Sequence, residues 1–176
     1  DSVNYKRILF VAHREEILYQ AVEAFKNVRK SEDYGLFYGR QKDKDKSMIF
    51  ASVMTLAKDE YLNEAYFPRD YFEYIIIDEF HHAVTAQYKK IVNYFKPKFL
   101  LGLTATPERL DGKNIYELCD YNVPYEITLK EAINKGILVP FHYYGIYDET
   151  DYSHLHLVKG RYNEEELTNI YQANTK

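Results

Sequence analysis

Residues 74–83 read YIIIDEFHHA. One tyrosine and three isoleucines form a short, continuous apolar run, the pattern of a strand buried on both faces of a parallel sheet. Two acids follow at once, and after Phe80 come two histidines. A packet of titratable groups at the end of a buried strand sits where such sheets bind ligands, outside the carboxyl ends of their strands.

Three further apolar runs flank this one, namely ILFVA at 8–12, MIFASV at 48–53 and FLLGLT at 99–104. Between the first two, REEILYQAVEAFKNVR (14–29) places Ile17, Leu18, Ala21, Val22, Phe25 and Val28 at helical spacing and leaves Glu15, Glu23 and Lys26 for solvent. Leu36 to Tyr38 is expected as a brief strand, and the alternating charges of Lys42 to Lys46 as a solvated loop. Behind the acidic packet, Val84, Tyr88, Ile91, Val92 and Phe95 mark one face of a helix that Lys96 and Pro97 stop. Strands alternating with helices imply an α/β protein, a parallel sheet flanked by helices.

Beyond Thr128 the pattern loosens. Thr128 and Glu131 have the spacing of a capping box before a short helix that Gly136 can close. FHYYGIY (141–147) is expected as a strand, and NEEELTNIYQA as a helix starting at Asn163, with Glu166 three residues on. The expected division is a domain over 1–140 and an extension over 141–176.

Composition narrows the class. A chain of 176 residues, 46% hydrophobic and 28% charged, can bury a sizeable core. No segment approaches a membrane span, and the single cysteine, Cys119, cannot form an internal disulfide; both point to a soluble, cytoplasmic protein. A net charge of −4 argues against gripping nucleic acid by bulk electrostatics. Residues 1–46, with ten Lys/Arg against eight Asp/Glu, are the mildly positive part, where phosphate contacts are expected. Most of the 19 tyrosines are expected in the core or in strands rather than as base-stacking platforms.

Four polar clusters end the four apolar runs: AHRE (12–15), SVMT (52–55), DEFHH (78–82) and TATPE (104–108). An acid at such a strand end is how nucleoside triphosphatases place the carboxylate that holds Mg²⁺, and Asp78 fits that role. Glu79 is then free to orient or deprotonate the attacking water. The plain alternative is that the two acids merely favour the positive end of the following helix.

Together the motifs resemble a known family. YIIIDEFHHA, followed by GLTATPERLDG, resembles motifs II and III of the superfamily 2 helicases and translocases in their DExH form, with VAHREEIL like motif Ia and FASVMTL like the next strand-contact motif. Within it, DEFHHA, LTATPERLDG and INKGILVPFHYYGI look closest to bacterial helicases grouped with restriction-enzyme subunits. The resemblance, over residues 8 to 147, implies a RecA-like first motor domain and an ATP-dependent enzyme using ATP and Mg²⁺. It implies that Asp78 holds Mg²⁺, Glu79 activates water, and His81 couples the nucleotide to Thr104 and Thr106. Arg14, Ser52 and Thr55 would contact the backbone of one nucleic-acid strand, DNA being the expected partner, without reading sequence. Met54 stands where relatives often carry Gln.

The family's glycine loop, G-x-x-x-x-G-K-S/T, does not occur in the sequence; GLFYGRQ (35–41) is one residue short between its glycines and lacks the Lys and Ser/Thr. The expectation is therefore a motor domain incomplete at its amino-terminal side, an internal piece whose parent supplies the Walker A segment and a second RecA-like domain, the isolated chain being inactive. Two rivals stand beside it. One is a catalytically silent fragment that binds nucleic acid or a partner. The other is a metal hydrolase using Asp78, Glu79, His81 and His82, which the helical spacing of zinc ligands disfavours. His154 and His156 fit a solvated strand face.

Overall fold

A computed structural model describes residues 5–106, 115–145, 151–158 and 161–173. It forms two compact units, Asp1–Glu126 and Ile127–Lys176. The expected division at residue 140 falls inside the second.

The first unit is built on a sheet whose described strands are β1 (Ile8–Ala12), β2 (Tyr34–Tyr38), β3 (Gln41–Lys42), β4 (Met48–Ser52), β5 (Tyr74–Ile77) and β6 (Phe99–Gly102). Their order is β3-β2-β4-β1-β5-β6. All neighbours run parallel except β3, a two-residue antiparallel return on β2. β1 and β4 are buried at every position, as their unbroken apolar sequences require. The helices are α1 (Glu15–Arg29), α2 (Val53–Leu56) and α3 (Ala86–Tyr94).

Period-two alternation sorts the strand residues onto two faces. Ile8, Phe10, Met48, Phe50 and Ile76 pack with Leu18 and Val22 of α1. Leu9, Val11, Ile49, Ala51, Ile75 and Ile77 pack on the other face with Tyr88 and Ile91 of α3. The result is an α/β sandwich with a core on each side of the sheet. The long connection from 57 to 73 supplies Leu62, Phe67 and Phe72 to the second core. Rings of Phe37, Tyr61, Tyr66, Phe67, Tyr71 and Phe72 meet there edge to face, so these tyrosines are packing residues.

Two details were not foreseen. Gln41 and Lys42 turn back as β3 at the start of the charged stretch, and Leu36 N–H donates to Asp43 Oδ2 at 3.1 Å. Residues 80–82 form a single 3₁₀ turn rather than the start of a long helix, and α3 begins only at Ala86.

The second unit holds α4 (Leu129–Asn134), the two-stranded β7 (Leu157–Val158) and β8 (Arg161–Tyr162), and α5 (Glu164–Ala173). The capping box of α4 is complete: Thr128 Oγ1 accepts from Glu131 N–H, and Glu131 Oε2 accepts from Thr128 N–H at 3.0 Å. Gly136 takes φ +69° after it, as a helix stop requires. Asn163 caps α5 by accepting from Glu165 N–H at 2.9 Å. Glu166 does not close a box; its carboxylate accepts from His156 N–H at 2.8 Å and lies 3.0 Å from His156 Nδ1. The expected strand over 141–147 is absent from its described part, 141–145, where Phe141, Tyr143 and Tyr144 are exposed and no neighbouring strand offers a ladder. His154 lies on a turn. Among the described residues no helix is long and apolar enough to cross a membrane.

Candidate functional site

The parallel order β4-β1-β5-β6 brings the four polar clusters to one edge of the sheet, with Ser52 in register with Ala12, and Ile77 with both Val11 and Gly102. Asp78 is half-buried just beyond β5 and is tied to β1 by its N–H, which donates to Val11 O at 3.0 Å. Glu79 then adopts φ 49°, ψ 50°, a left-handed conformation uncommon for a residue with a side chain. That single reversal swings the chain into the 3₁₀ turn, whose first bond runs from His82 N–H to Glu79 O at 2.8 Å.

Phe80 fixes the turn from below. Its side chain is 4% exposed, its N–H donates to Leu103 O at 2.8 Å, and its ring lies over Gly102. A Cβ on Gly102 would stand 2.6 Å from Phe80 Cδ1, so only glycine admits this ring.

With the turn pinned, His81 meets the end of β6. Its Nδ1 lies 3.0 Å from Thr104 Oγ1, 3.4 Å from Thr106 Oγ1 and 3.2 Å from Glu79 Oε2. Thr106 N–H also donates to Thr104 Oγ1 at 3.1 Å. Glu79, His81, Thr104 and Thr106 thus form one connected group. The remainder of TATPE, Pro107 and Glu108, lies outside the described residues.

The strand-contact candidates are distributed differently. Arg14 is exposed at the N-cap position of α1, and Ser52 and Thr55 are each only 8% exposed beside it in the strand order, while Met54 between them is 61% exposed. Arg14 shares an open cleft of about 740 Å³ with His13, Gln20, Glu79, His81 and His82.

Three groups stand at the site in ways the sequence reading did not assign, His82 having entered only as a ligand of the metal-hydrolase rival. His13 and His82, both lining the cleft, meet edge to face with ring centroids 5.4 Å apart, and His13 Nδ1 is buried without a hydrogen-bond partner among the described residues. Tyr88, assigned only to a helix face, carries a buried hydroxyl without a partner among the described residues. Burial, assisted by the nearby carboxylates of Asp78 and Glu79, pushes that phenol up to about 12. Tertiary neighbours across the sheet decide all three, although a histidine directly after a buried strand was a usable signal for His13.

The donor set can be tested against a metal. Among the described residues no three His, Cys, Asp or Glu side chains gather around one point, so the metal-hydrolase reading finds no ligand cage. Two adjacent carboxylates do suit Mg²⁺, which proteins hold through one or two carboxylates together with the phosphates of a nucleotide.

Comparisons with known proteins agree with this architecture. The family model described as "Type III restriction enzyme, res subunit" matches residues 1–109. The chain is similar to a 51.5 kDa protein of a Lactococcus phage (isolate 7-9), 29% identical over 163 residues that cover 92% of this chain and 31% of the phage protein. It is also similar to the type I restriction enzyme EcoAI endonuclease subunit of Escherichia coli, 30% identical over 156 residues, covering 80% of this chain and 18% of that one. Among solved structures, the helicase domain of Pyrococcus furiosus Hef superposes with a TM-score of 0.53 at 18% identity, covering 68% of this chain and 28% of that one. The chain therefore spans 31% or less of the length of these two curated relatives.

Proposed function

The chain belongs to the type III restriction enzyme res subunit family and has the RecA-like fold of a superfamily 2 helicase domain, and from that premise we propose that it is the DExH-bearing part of an ATP-dependent nucleic-acid motor. The observation that carries the reading is the connected group of Glu79, His81, Thr104 and Thr106.

Bound ATP and Mg²⁺ would supply the phosphoanhydride to be cleaved and the charge that steadies its departing phosphate. Asp78, at the buried strand's end, would hold the ion through its carboxylate. Glu79 would take the proton of the attacking water, its Oε2 kept in place by His81 at 3.2 Å. One imidazole nitrogen facing three oxygens cannot bond all of them at full strength. His81 is therefore poised to exchange Glu79 for Thr104 or Thr106 as the nucleotide changes, passing that change to the end of β6. Arg14 would take a backbone phosphate, with Ser52 and Thr55 offering what little hydroxyl surface they expose. Such contacts are blind to sequence, and DNA is the track we favour.

A glycine loop and a second RecA-like domain would have to come from elsewhere in the protein. Alone, the 176-residue chain should hydrolyse no ATP above background, as the silent-fragment reading also expects. The test uses the full-length protein. Glu79→Gln should leave Mg·ATP binding within twofold while turnover falls by roughly 10²- to 10⁴-fold, whereas Asp78→Asn should weaken Mg·ATP binding itself. Undiminished turnover in Glu79→Gln would remove Glu79 from the role.

A further inference from the structure

His13 and His82 are unused by the chemistry above, yet they join its two halves. His82 ends the 3₁₀ turn that Glu79 starts, and its ring lies 4.1 Å, centroid to centroid, from that of His81. Its other neighbour is the His13 ring, at 5.4 Å and 68°. His13 in turn is the peptide neighbour of Arg14, the N-cap residue of α1. The chain of contact thus runs from the Glu79 turn through two imidazole rings to the start of α1, all along one cleft.

We propose that His13 and His82 are positioning residues that form a second link, ring against ring, between the nucleotide-facing turn at 79–82 and the strand-contacting Arg14. The proposal rests on the reading of the site given above and adds to it a route that bypasses Thr104 and Thr106.

Packing explains why the link transmits. Phe80 is held over Gly102 and bonded to Leu103, so the turn has a fixed pivot at its first residue. Ala83, after the turn, and Ala12, before His13, are both 0% exposed and leave no slack on either side. A change in the left-handed backbone of Glu79 would therefore be felt within the turn, where the His82 ring meets that of His13. The backbone bond from Asp78 N–H to Val11 O keeps the two strand ends in register while the rings shift. Ring pairs favour edge-to-face or offset-stacked packing, so a displacement of one ring is passed to the other as a change of contact.

The experiment compares His82→Ala, His13→Ala, the double variant and His82→Phe with the wild type in the full-length protein. ATP turnover is measured with and without single-stranded DNA, and single-strand affinity with and without a non-hydrolysable ATP analogue and Mg²⁺. Wild type should show a nucleotide-dependent change in strand affinity within the range of about 5- to 150-fold typical of coupled sites. Both alanine variants should keep strand-independent turnover and ATP KM within twofold, while strand stimulation and the affinity change fall to near one. The double variant should be no worse than either single one. His82→Phe, which keeps a ring, should restore most of the coupling. Coupling retained within twofold in the alanine variants would overturn the proposal, as would parallel loss of strand-independent turnover or failure of His82→Phe to rescue. An unaltered turnover in Glu79→Gln, by contrast, would overturn the underlying assignment of the site, and the link with it.

Discussion

At the amino-terminal ends of β1, β5 and β6 charged side chains close on the backbone and on one another, whereas at the carboxyl ends of the same strands the polar group around His81 borders an open cleft. At the closed end Glu73 accepts from Lys6 N–H and from Lys98 Nζ, each at 2.6 Å. Lys98 N–H donates to Glu73 O at 2.8 Å, Glu73 N–H to Arg7 O at 3.0 Å, and the Arg7 guanidinium lies 4.3 Å from the centroid of the Tyr71 ring. At the open end Glu79 is left-handed, and His13 Nδ1 and the Tyr88 hydroxyl are buried without partners among the described residues. One set of strands therefore ends in two ways, with charge used for closure at one end and local backbone strain tolerated at the other.

The largest effect expected from breaking this contrast is at the pivot beneath the open end. Gly102→Ala would drive a methyl group into the Phe80 ring and should destabilise the chain by about 1–3 kcal/mol, read from denaturant unfolding. An unchanged midpoint would mean that Phe80 can shift freely and that the turn has no pivot. Tyr88→Phe should act in the opposite sense. It removes a buried hydroxyl without a partner, and a gain of about 1 kcal/mol is expected in the same measurement. A loss would show that the hydroxyl is satisfied and that the open end is less strained than it looks.

Much of this arrangement was legible in the sequence, and the exceptions have physical causes. Fully buried parallel strands must be continuously apolar, so ILFVA, MIFAS, YIII and FLLG could be found without knowing their neighbours. Their shared polar edge followed once the sheet was taken as parallel. Helix α1 was legible because fifteen residues of amphipathic pattern outweigh any local ambiguity. The turn at 80–82 was not, since a left-handed glutamate is fixed by the strand pair and the Phe80–Gly102 contact rather than by its own propensity. The contact of His13 with His82 was hidden for a related reason, the two being 69 positions apart in the chain and meeting only across β1 and β5. The strand expected at 141–147 shows the reverse error over its described part, 141–145, because aromatic residues give strand propensity but cannot supply a pairing partner.

The smallest effect should come from the closed end, and its sign can be worked out across the whole pH range. The hydrogen bond from Lys98, with that from the Lys6 backbone second, holds the Glu73 carboxyl below the ordinary carboxylate range. Glu73, in the same way, holds the Lys98 ammonium above the ordinary lysine value of 10.5. A depressed acid contributes stability above its unfolded pKa, near 4.3, and loses it as pH falls through the lower folded value. A raised base contributes fully below its unfolded pKa and loses that contribution as pH rises through the higher folded one. The stability difference between wild type and Glu73→Gln should accordingly be flat from about pH 5 to pH 10 and shrink beyond both ends. Added salt should reduce it throughout, because the Lys98 side chain is 68% exposed. Thermal unfolding of both proteins at pH 3, 5, 7 and 9.5 tests this directly. A difference that stayed constant down to pH 3 would mean that Glu73 works through packing rather than charge, and the two ends of the sheet would then differ in shape alone.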